Sequence, residues 1–444
     1  MTTLTTFQDL DNIAFSLLKK LETKAVQESS EPQQSSQDLH GIPFIFDLGE
    51  ISSFVAHSTD GWGNTDSIFL NENGKTVGFG KENYRLIKEI AAAFLELDER
   101  YNSTDQEFIE KEIFEWVISI YKTNKAESNL TSYLEKRIDE ETKEYTFYFK
   151  LFPVGIEGPF TFGRLRILPF TEDFLLEQYQ RLPLENRKSW EKYKEGFREF
   201  LNSVVVEIIV KAVVSKAEII ARADAALIIN AFKCFLNPES CALSYQLFDL
   251  DFKATVTGFS HSIVKYNEQG GLTINLKRLN GTLPIELTYS NIERLKKSGL
   301  ETMHNFLIQD NKTEFYLLIL QGIDQFGIAV STRNLYDRMV QFTSFFELFL
   351  NDENSSRSKA ETFLKSKVLP LLISDKDQEI AKSLVRMMYN IRDKYLHNRI
   401  LITLDIEDIL KVQGIALRFL LLMMRFSDKI TNKLELFEHL EIPR

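Results

Sequence analysis

The sequence predicts an α+β protein, in which an N-terminal mixed α/β region is followed by a C-terminal all-α helical bundle. Two observations support this fold class. Strand-like and helical apolar patterns alternate up to about residue 310, and only helical periodicity continues from Asn311 onward. The chain has 444 residues, of which 44% are hydrophobic and 26% are charged, so it is long enough for two or three domains with complete cores.

The N-terminal segment, residues 1–26, is predicted to form one amphipathic helix over Thr5 to Lys24, because apolar residues recur there at helical spacing. Residues 27–40 are predicted to form a flexible linker. The stretch from Gln27 to Asp38 is rich in Ser, Gln and Glu and lacks large apolar side chains, so it cannot bury enough surface to order itself.

The region 41–310 combines both kinds of pattern, and we interpret it as an α+β domain of unknown role, with a sensory or regulatory role as the suggestion. Its predicted strands are Ile42–Phe46, Tyr145–Phe152, Phe160–Phe170 and Leu272–Leu276. Turns are predicted at Asn71–Gly74 and Asn267–Gly271. Its predicted helices are Arg85–Arg100, Gln106–Thr123 and a long helical stretch from Glu172 to about Phe235, interpreted as two or three helices.

The C-terminal region, residues 311–444, is predicted to be a helical bundle with short polar connections. Its predicted helices are Glu314–Val330, Arg333–Leu350, Lys359–Ile373, Asp377–Asn398 and Asp405–Phe426. Asp405 and Asp408 begin the last helix in an arrangement like a capping box. From Asn311 onward there are 19 basic and 18 acidic residues, against 34 and 46 before it, so a phosphate-bearing ligand meets least repulsion at the bundle.

Composition limits the class of function. The net charge of −11 excludes a wholly basic surface, so any site for a polyanion must be local. Cys234 and Cys241 form neither a disulfide framework nor a zinc-ligand pattern, and we expect no metal ion and no other cofactor. The first twelve residues lack Lys and Arg, and the most apolar stretches, Ser203–Val214 and Ile415–Phe426, each contain two charges. We therefore expect a cytoplasmic protein without a secretory signal or a membrane span.

The residues that carry chemistry lie at the end of the fourth predicted bundle helix. On a helical wheel centred on Ile391, the apolar residues within about 60° define the predicted buried stripe: Ile380, Leu384, Met387, Met388 and Tyr395. His397 lies about 240° from Ile391 and therefore points away from this stripe. Asp393 precedes His397 by four residues, so its carboxylate can orient the imidazole and favour its charged form.

Arg392 lies about 140° from His397 around the same helix. On one straight helix, these two side chains cannot both contact the same phosphorus atom. A joint site requires a distorted helix end, the reach of the Arg side chain, or a second copy of the helix. A two-fold dimer that packs this helix against its mate supplies the third of these.

This segment resembles the HEPN superfamily. An Arg-x4-His pattern, with a polar residue directly after Arg392, at the end of the penultimate helix of a C-terminal bundle, is similar to the Arg-x4–6-His motif of that superfamily. The Apea-like branch, whose members have a large N-terminal region, is the most similar. The resemblance covers Asn311 to Phe426 and includes Phe345-Phe346-Glu347-Leu348-Phe349, which is similar to a Leu-Glu-x-Leu pattern on an earlier HEPN helix.

The resemblance implies metal-independent cleavage of RNA at a composite site in a homodimer interface, with the neighbouring 2′-hydroxyl as nucleophile. His397 would be the general base or acid, Arg392 would bind the phosphate, and Asp393 would orient the imidazole. The products would carry a 2′,3′-cyclic phosphate and a 5′-hydroxyl. The layout is similar to that of prokaryotic toxins and phage-defence proteins, whose N-terminal region would respond to an unknown trigger ligand or protein.

Alternatives remain open for the function and for three further residues. The bundle can instead be a non-catalytic HEPN module for dimerisation or for binding nucleotides or RNA, or a helical scaffold with a coincidental Arg-x4-His. Glu347 either neutralises Arg392, joins the site, or is a solvated edge residue. Asn398 and Arg399 either contact RNA or only form the helix exit.

Overall fold

The structure is a computed structural model of the chain. It describes residues 6–25, 53–59, 65–72, 75–152, 154–181, 187, 198, 200–235, 249–250, 258–266, 272–279, 285–309, 311, 313–332, 334–351, 357–398 and 404–441. The predicted linker 27–40, the predicted strand Ile42–Phe46 and the predicted turn Asn267–Gly271 lie outside these residues. The fold is α+β with a helical C-terminal region, as the sequence predicts.

The chain divides into two compact units. The first unit contains Met1–Lys143 and Lys211–Glu218, and the second contains Glu144–Val210 and Ile219–Arg444. This division follows the spatial contacts between elements, and the sequence-based borders at residues 26, 40 and 310 stay predictions.

Within the described residues, the first unit consists mainly of four helices and a small antiparallel sheet. Its elements are α1 (Phe7–Leu17), β1 (Glu22–Ala25), β2 (Ser53–Thr59), β3 (Thr65–Glu72), β4 (Lys75–Phe79), α2 (Lys81–Leu97), α3 (Gln106–Thr123) and α4 (Leu130–Glu141). Two 3₁₀ turns, Leu18–Lys20 and Glu99–Ser103, follow α1 and α2. The sheet order is β1-β4-β3-β2, and Glu72 pairs with Lys75 across the predicted turn, so Asn71 belongs to β3.

The N-terminal helix belongs to the core of this first unit. Leu10, Ala14 and Leu17 of α1 are fully buried in the same apolar cluster as Ile87 and Phe94 of α2. The predicted helix to Lys24 is too long, because the chain leaves helical structure at Lys20 and Glu22–Ala25 pairs with β4. The backbone hydrogen bonds of this antiparallel ladder replace those that a longer helix would have provided.

The sheet of the second unit lies mainly in its N-terminal part. The strands are β5 (Lys143–Phe152), β6 (Val154–Ile156), β7 (Phe160–Phe162), β8 (Leu165–Phe170), β9 (Ser203–Ala212), β10 (Asp249–Leu250), β11 (Gly258–Tyr266), β12 (Leu272–Leu279) and β13 (Ile285–Leu287). The main sheet has the order β12-β11-β5-β9-β8-β7, with β10 paired to β5, while β6 and β13 form a separate parallel pair. Gly163, with a φ of 58°, lies in the turn between β7 and β8, where the left-handed region favours glycine.

The predicted helical stretch from Glu172 to about Phe235, interpreted as two or three helices, is wrong at its centre, where the chain forms a strand. Helices α5 (Glu172–Gln180) and α6 (Val214–Lys233) are present, but Ser203–Ala212 forms the strand β9. This run is rich in β-branched residues, and most of its side chains are buried. A short apolar run of this kind fits a buried strand as well as a helix, and the β-branched side chains pack well on a pleated surface.

The C-terminal region is the predicted helical bundle. Helices α7 (Tyr289–Leu295) and α8 (Glu301–Leu307) precede the predicted start of the bundle at Asn311. From Asn311 onward the described helices are α9 (Glu314–Ser331), α10 (Leu335–Leu350), α11 (Arg357–Phe363), α12 (Leu369–Leu372), α13 (Gln378–Asn398), α14 (Ile406–Phe426) and α15 (Lys433–Glu441). The predicted helix Lys359–Ile373 is divided by a π turn, Leu364–Val368, and Pro370 lies at the start of α12. Among the described residues, the helices α14 and α15 follow α13, so the prediction that α13 is the penultimate helix of the bundle is wrong.

A cluster of aromatic rings forms the centre of the bundle. Phe345, Phe346 and Phe349 of α10 are fully buried and contact the ring of Phe419 on α14, with ring centroids 5.3 to 5.8 Å apart. Helix α10 therefore has a fixed rotation about its own axis, which also fixes the direction of Glu347. Across the described ranges, no helix combines the length and apolar character that crossing a membrane requires.

Candidate functional site

Helix α13 carries the candidate residues, and its buried face differs from the predicted stripe. Among its core residues, Leu384, Met388 and Ile391 are buried as predicted. Ile380 was predicted to be buried, but its side chain is 59% exposed. The other buried positions are Ala381, Val385 and Tyr389.

This set of buried residues is centred about 75° from Ile391, on the side of Arg392. Ile380 is therefore displaced to the edge of the buried face, and Arg392, at about 100°, turns toward the interior of the bundle. His397, at about 240°, remains almost opposite the buried face. The rotation of α13 about its axis thus places Arg392 toward the interior of the bundle and His397 toward solvent.

Arg392 forms an ion pair with Glu347 on the neighbouring helix α10. The distance from Arg392 Nη2 to Glu347 Oε2 is 3.1 Å, and the side chains are only 18% and 12% exposed. Of the three interpretations of Glu347, the structure supports neutralisation of Arg392. The Nε and Nη1 atoms of Arg392 are also buried, and within the described ranges they have no hydrogen-bond partner.

His397 lies in the last turn of α13 and is exposed to solvent. Asp393, one turn earlier, is exposed too, as is Leu396, the residue before His397, which is 52% exposed. The prediction that His397 points away from the core is confirmed. Asn398 is the last residue of α13, but its side chain and all of Arg399 lie outside the described residues, so their suggested contacts with RNA stay predictions.

Sequence reasoning missed Tyr336 as a partner of this helix end. The rings of Tyr336 on α10 and Tyr395 on α13 stack with centroids 5.4 Å apart and an interplanar angle of 20°. Tyr336 and Glu347 are eleven residues apart, which is about three helical turns, so they lie on the same face of α10. This spacing in the sequence could have indicated that both residues contact α13. The stack of Tyr336 on Tyr395 holds the last turns of α13 against α10.

Within one subunit, the side chains of Arg392 and His397 lie on different sides of α13. Five residues along a helix correspond to a rise of about 7.5 Å, and the two side chains diverge by about 140°. The guanidinium faces Glu347, whereas the imidazole faces solvent. One copy of α13 in this conformation therefore does not bring the two side chains together, and the composite site in a homodimer stays a prediction.

Searches for related proteins add no identification. No protein-family model, curated protein or solved structure matches the chain. Within the described ranges, no group of three or more His, Cys, Asp or Glu side chains is placed to hold a metal ion.

Proposed function

We propose that the chain is a HEPN-type endoribonuclease that cleaves RNA without a metal ion and acts as a homodimer. The observation that carries this proposal is the solvent-exposed His397 at the end of α13, little more than one turn beyond Arg392, in the bundle where the motif is expected. An imidazole sealed in the core could not reach a ribose. The exposed position of His397 leaves it accessible to a substrate and to a second subunit.

The roles of the three residues follow from their chemistry. An imidazole ordinarily titrates near pH 6.5, which suits a group that accepts a proton from the 2′-hydroxyl or donates one to the leaving 5′-oxygen. Asp393 shares the exposed face of α13 with His397 and is the orienting carboxylate. Attack of the 2′-oxygen on phosphorus forms the cyclic phosphate, and the departing 5′-oxygen takes up a proton.

Arg392 supplies positive charge for the phosphate. Its Nη2 atom is held by Glu347, but its Nε and Nη1 atoms have no partner among the described residues. These two nitrogens carry three uncommitted N–H groups, and a guanidinium can bind two phosphate oxygens at once. Because Nε and Nη1 are buried within one subunit, the Arg392 side chain must turn away from Glu347 before these atoms can contact a phosphate.

A second function is favoured by the same ion pair. Neutralisation by Glu347 and burial of Arg392 also fit a structural guanidinium, and the bundle would then be a non-catalytic module for dimerisation or for binding nucleotides or RNA. In that case His397 is only a surface residue. The two functions differ in whether substitution of His397 changes RNA cleavage.

The experiment is cleavage of end-labelled total RNA by the full chain in excess chelator, followed by analysis of the product ends. Wild type is expected to give 2′,3′-cyclic phosphate and 5′-hydroxyl ends, and His397→Ala and Arg392→Ala are expected to lose this cutting. Matched controls on α13 are the exposed Asn390→Ala and Arg386→Ala, which should cut like wild type. Equal cutting by His397→Ala and wild type would reject the enzyme and leave the non-catalytic module.

The proposal includes a cytoplasmic location and a role as a regulated toxin or phage-defence effector. In this role the N-terminal region would respond to a trigger, and the released nuclease would degrade RNA in the cell. Growth arrest on induced expression of wild type, with normal growth for His397→Ala at equal protein level, is the expected cellular result.

A further inference from the structure

The first unit contains a polar cavity that the proposed nuclease chemistry does not use. Its volume is about 410 Å³, within the roughly 300 to 1,000 Å³ typical of small-molecule sites. It lies beside α4 and the 3₁₀ turn that follows α2. Its wall includes the polar side chains of Arg100, Tyr101, Glu135, Asp139, Thr142 and Lys211.

Two hydroxyl groups of the cavity wall lack hydrogen-bond partners. Tyr101 is only 1% exposed, and neither its hydroxyl nor Oγ1 of Thr142 has a partner within the described ranges. Buried polar groups in native proteins are almost always hydrogen-bonded, so two unsatisfied hydroxyls on one cavity need an explanation. A molecule with polar groups bound in this cavity would supply the missing partners.

Of the four charged residues in the wall, two form an ion pair with each other and two form none within the described ranges. Arg100 is held by Asp98 Oδ2 at 2.9 Å and by Glu135 Oε1 at 2.7 Å. Asp139 and Lys211, by contrast, are exposed and form no ion pair within the described ranges. The cavity therefore offers one free carboxylate and one free ammonium group to a ligand.

We propose that this cavity binds a small zwitterion of the α-amino acid type. Lys211 attracts the ligand's carboxylate and Asp139 attracts its ammonium group, while the hydroxyls of Tyr101 and Thr142 hydrogen-bond to the same polar groups. A polyphosphate is disfavoured because the wall carries as many acidic as basic groups, and a polyamine is disfavoured for the same reason.

Tyr101 is suited to the role of hydrogen-bond donor. Burial, together with the nearby carboxylate of Glu135, raises the pKa of its phenol, so the hydroxyl stays protonated throughout the physiological range. A protonated phenol can donate to a carboxylate and also accept from an ammonium group. Replacing it by phenylalanine removes this single function and keeps the ring.

The test is isothermal titration of the full-length protein with the proteinogenic L-amino acids. For each binder, the N-acetyl derivative and the amide are titrated as well, because these lack the ammonium and the carboxylate charge respectively. We expect at least one amino acid to bind and both of its derivatives to bind at least tenfold more weakly. Tyr101→Phe, Thr142→Val, Asp139→Asn and Lys211→Met should each weaken binding about tenfold, whereas the exposed control Tyr121→Phe should not.

Thermal unfolding distinguishes a Tyr101 hydroxyl that binds ligand from one that only stabilises the fold. Without ligand, Tyr101→Phe is expected to melt at the same or a higher temperature than wild type, because it removes an unsatisfied buried polar atom. The proposal is overturned if no amino acid binds at millimolar concentration. It is also overturned if an amino acid binds and its affinity is the same in Tyr101→Phe and Thr142→Val as in wild type.

Discussion

The Nη2 atom of Arg392 on α13 lies 3.1 Å from Oε2 of Glu347 on α10, and both side chains are largely buried. Two residues that are 45 positions apart in the sequence thus join α10 and α13 by a charge pair beside the aromatic centre of the bundle. Removing one partner leaves the other charge in a poorly hydrated position, which costs more than the pair itself contributes. The pair is therefore a structural feature of the bundle whatever chemistry Arg392 performs.

Glu347→Gln is expected to lower the free energy of unfolding by about 1–3 kcal/mol, because it leaves the Arg392 guanidinium without its counter-ion. Urea unfolding at pH 7 measures this change. Glu379→Gln is the matched control, since Glu379 pairs with Lys382 at the exposed start of α13 and its loss should leave the free energy of unfolding almost unchanged. Equal stability changes in the two variants would contradict the buried pair.

Two helical glycines should respond to alanine in opposite directions. A Cβ atom at Gly322 of α9 would lie 2.5 Å from Cζ of Phe349, whose ring is fixed in the aromatic cluster, so Gly322→Ala should lose about 1–2 kcal/mol through overpacking. Gly414 of α14 has no atom within 4 Å of the added Cβ, so Gly414→Ala should gain about 0.5–1 kcal/mol. Thermal unfolding measures both, and a gain at Gly322 would show that the packing around Phe349 is loose.

Ionisation of Asp224 should lower the free energy of unfolding as pH rises. Burial raises its pKa above the ordinary value of 3.8, while Arg164 opposes this shift. For a carboxyl group whose pKa is higher in the folded state, the protonated form favours folding, and this stabilisation is lost as pH rises through the folded-state pKa. Asp224→Asn should therefore be more stable than wild type at pH 7 and equal to it below about pH 3.

Urea midpoints of the two proteins between pH 3 and pH 8 measure this difference. The gap between Asp224→Asn and wild type should open as pH rises above about 4 and then stay constant. A gap that is widest at low pH would contradict the assigned direction of the pKa shift.

Much of the bundle could be predicted from sequence, because its apolar residues recur at helical spacing over long segments. The bounds of α9, α10, α13 and α14 agree with prediction to within two residues at each end. Strand β9 could not be separated from a helix, since its run of valines and isoleucines suits both. Strand β1 was missed because four residues become a strand only through pairing with β4.

The candidate site was predictable only in part. The exposure of His397 followed from the wheel, because it lies far from any estimate of the buried face. The burial of Arg392 could not be predicted from the wheel. A shift of about 75° in the centre of the buried face decides whether its side chain faces solvent or Glu347. That shift depends on how α13 packs against α10, which the sequence of α13 alone does not determine.

The proposed dimer predicts a role for the exposed Leu396 beside His397. An apolar side chain that is 52% exposed next to a composite site is expected to lie in the subunit interface. Leu396→Asp should therefore convert the protein from dimer to monomer in sedimentation equilibrium and should abolish RNA cleavage. The control Ile380→Asp, at the far end of α13 and 59% exposed, should remain a dimer. A wild-type monomer would exclude the composite site.

The most direct test of the nuclease is the single-turnover rate of cleavage of one defined RNA oligonucleotide in excess chelator. Wild type and Asn390→Ala should cleave at rates within twofold of each other, while His397→Ala should be at least about 100-fold slower, as expected for loss of a general acid or base. The same rate for His397→Ala as for Asn390→Ala would contradict the assignment of His397.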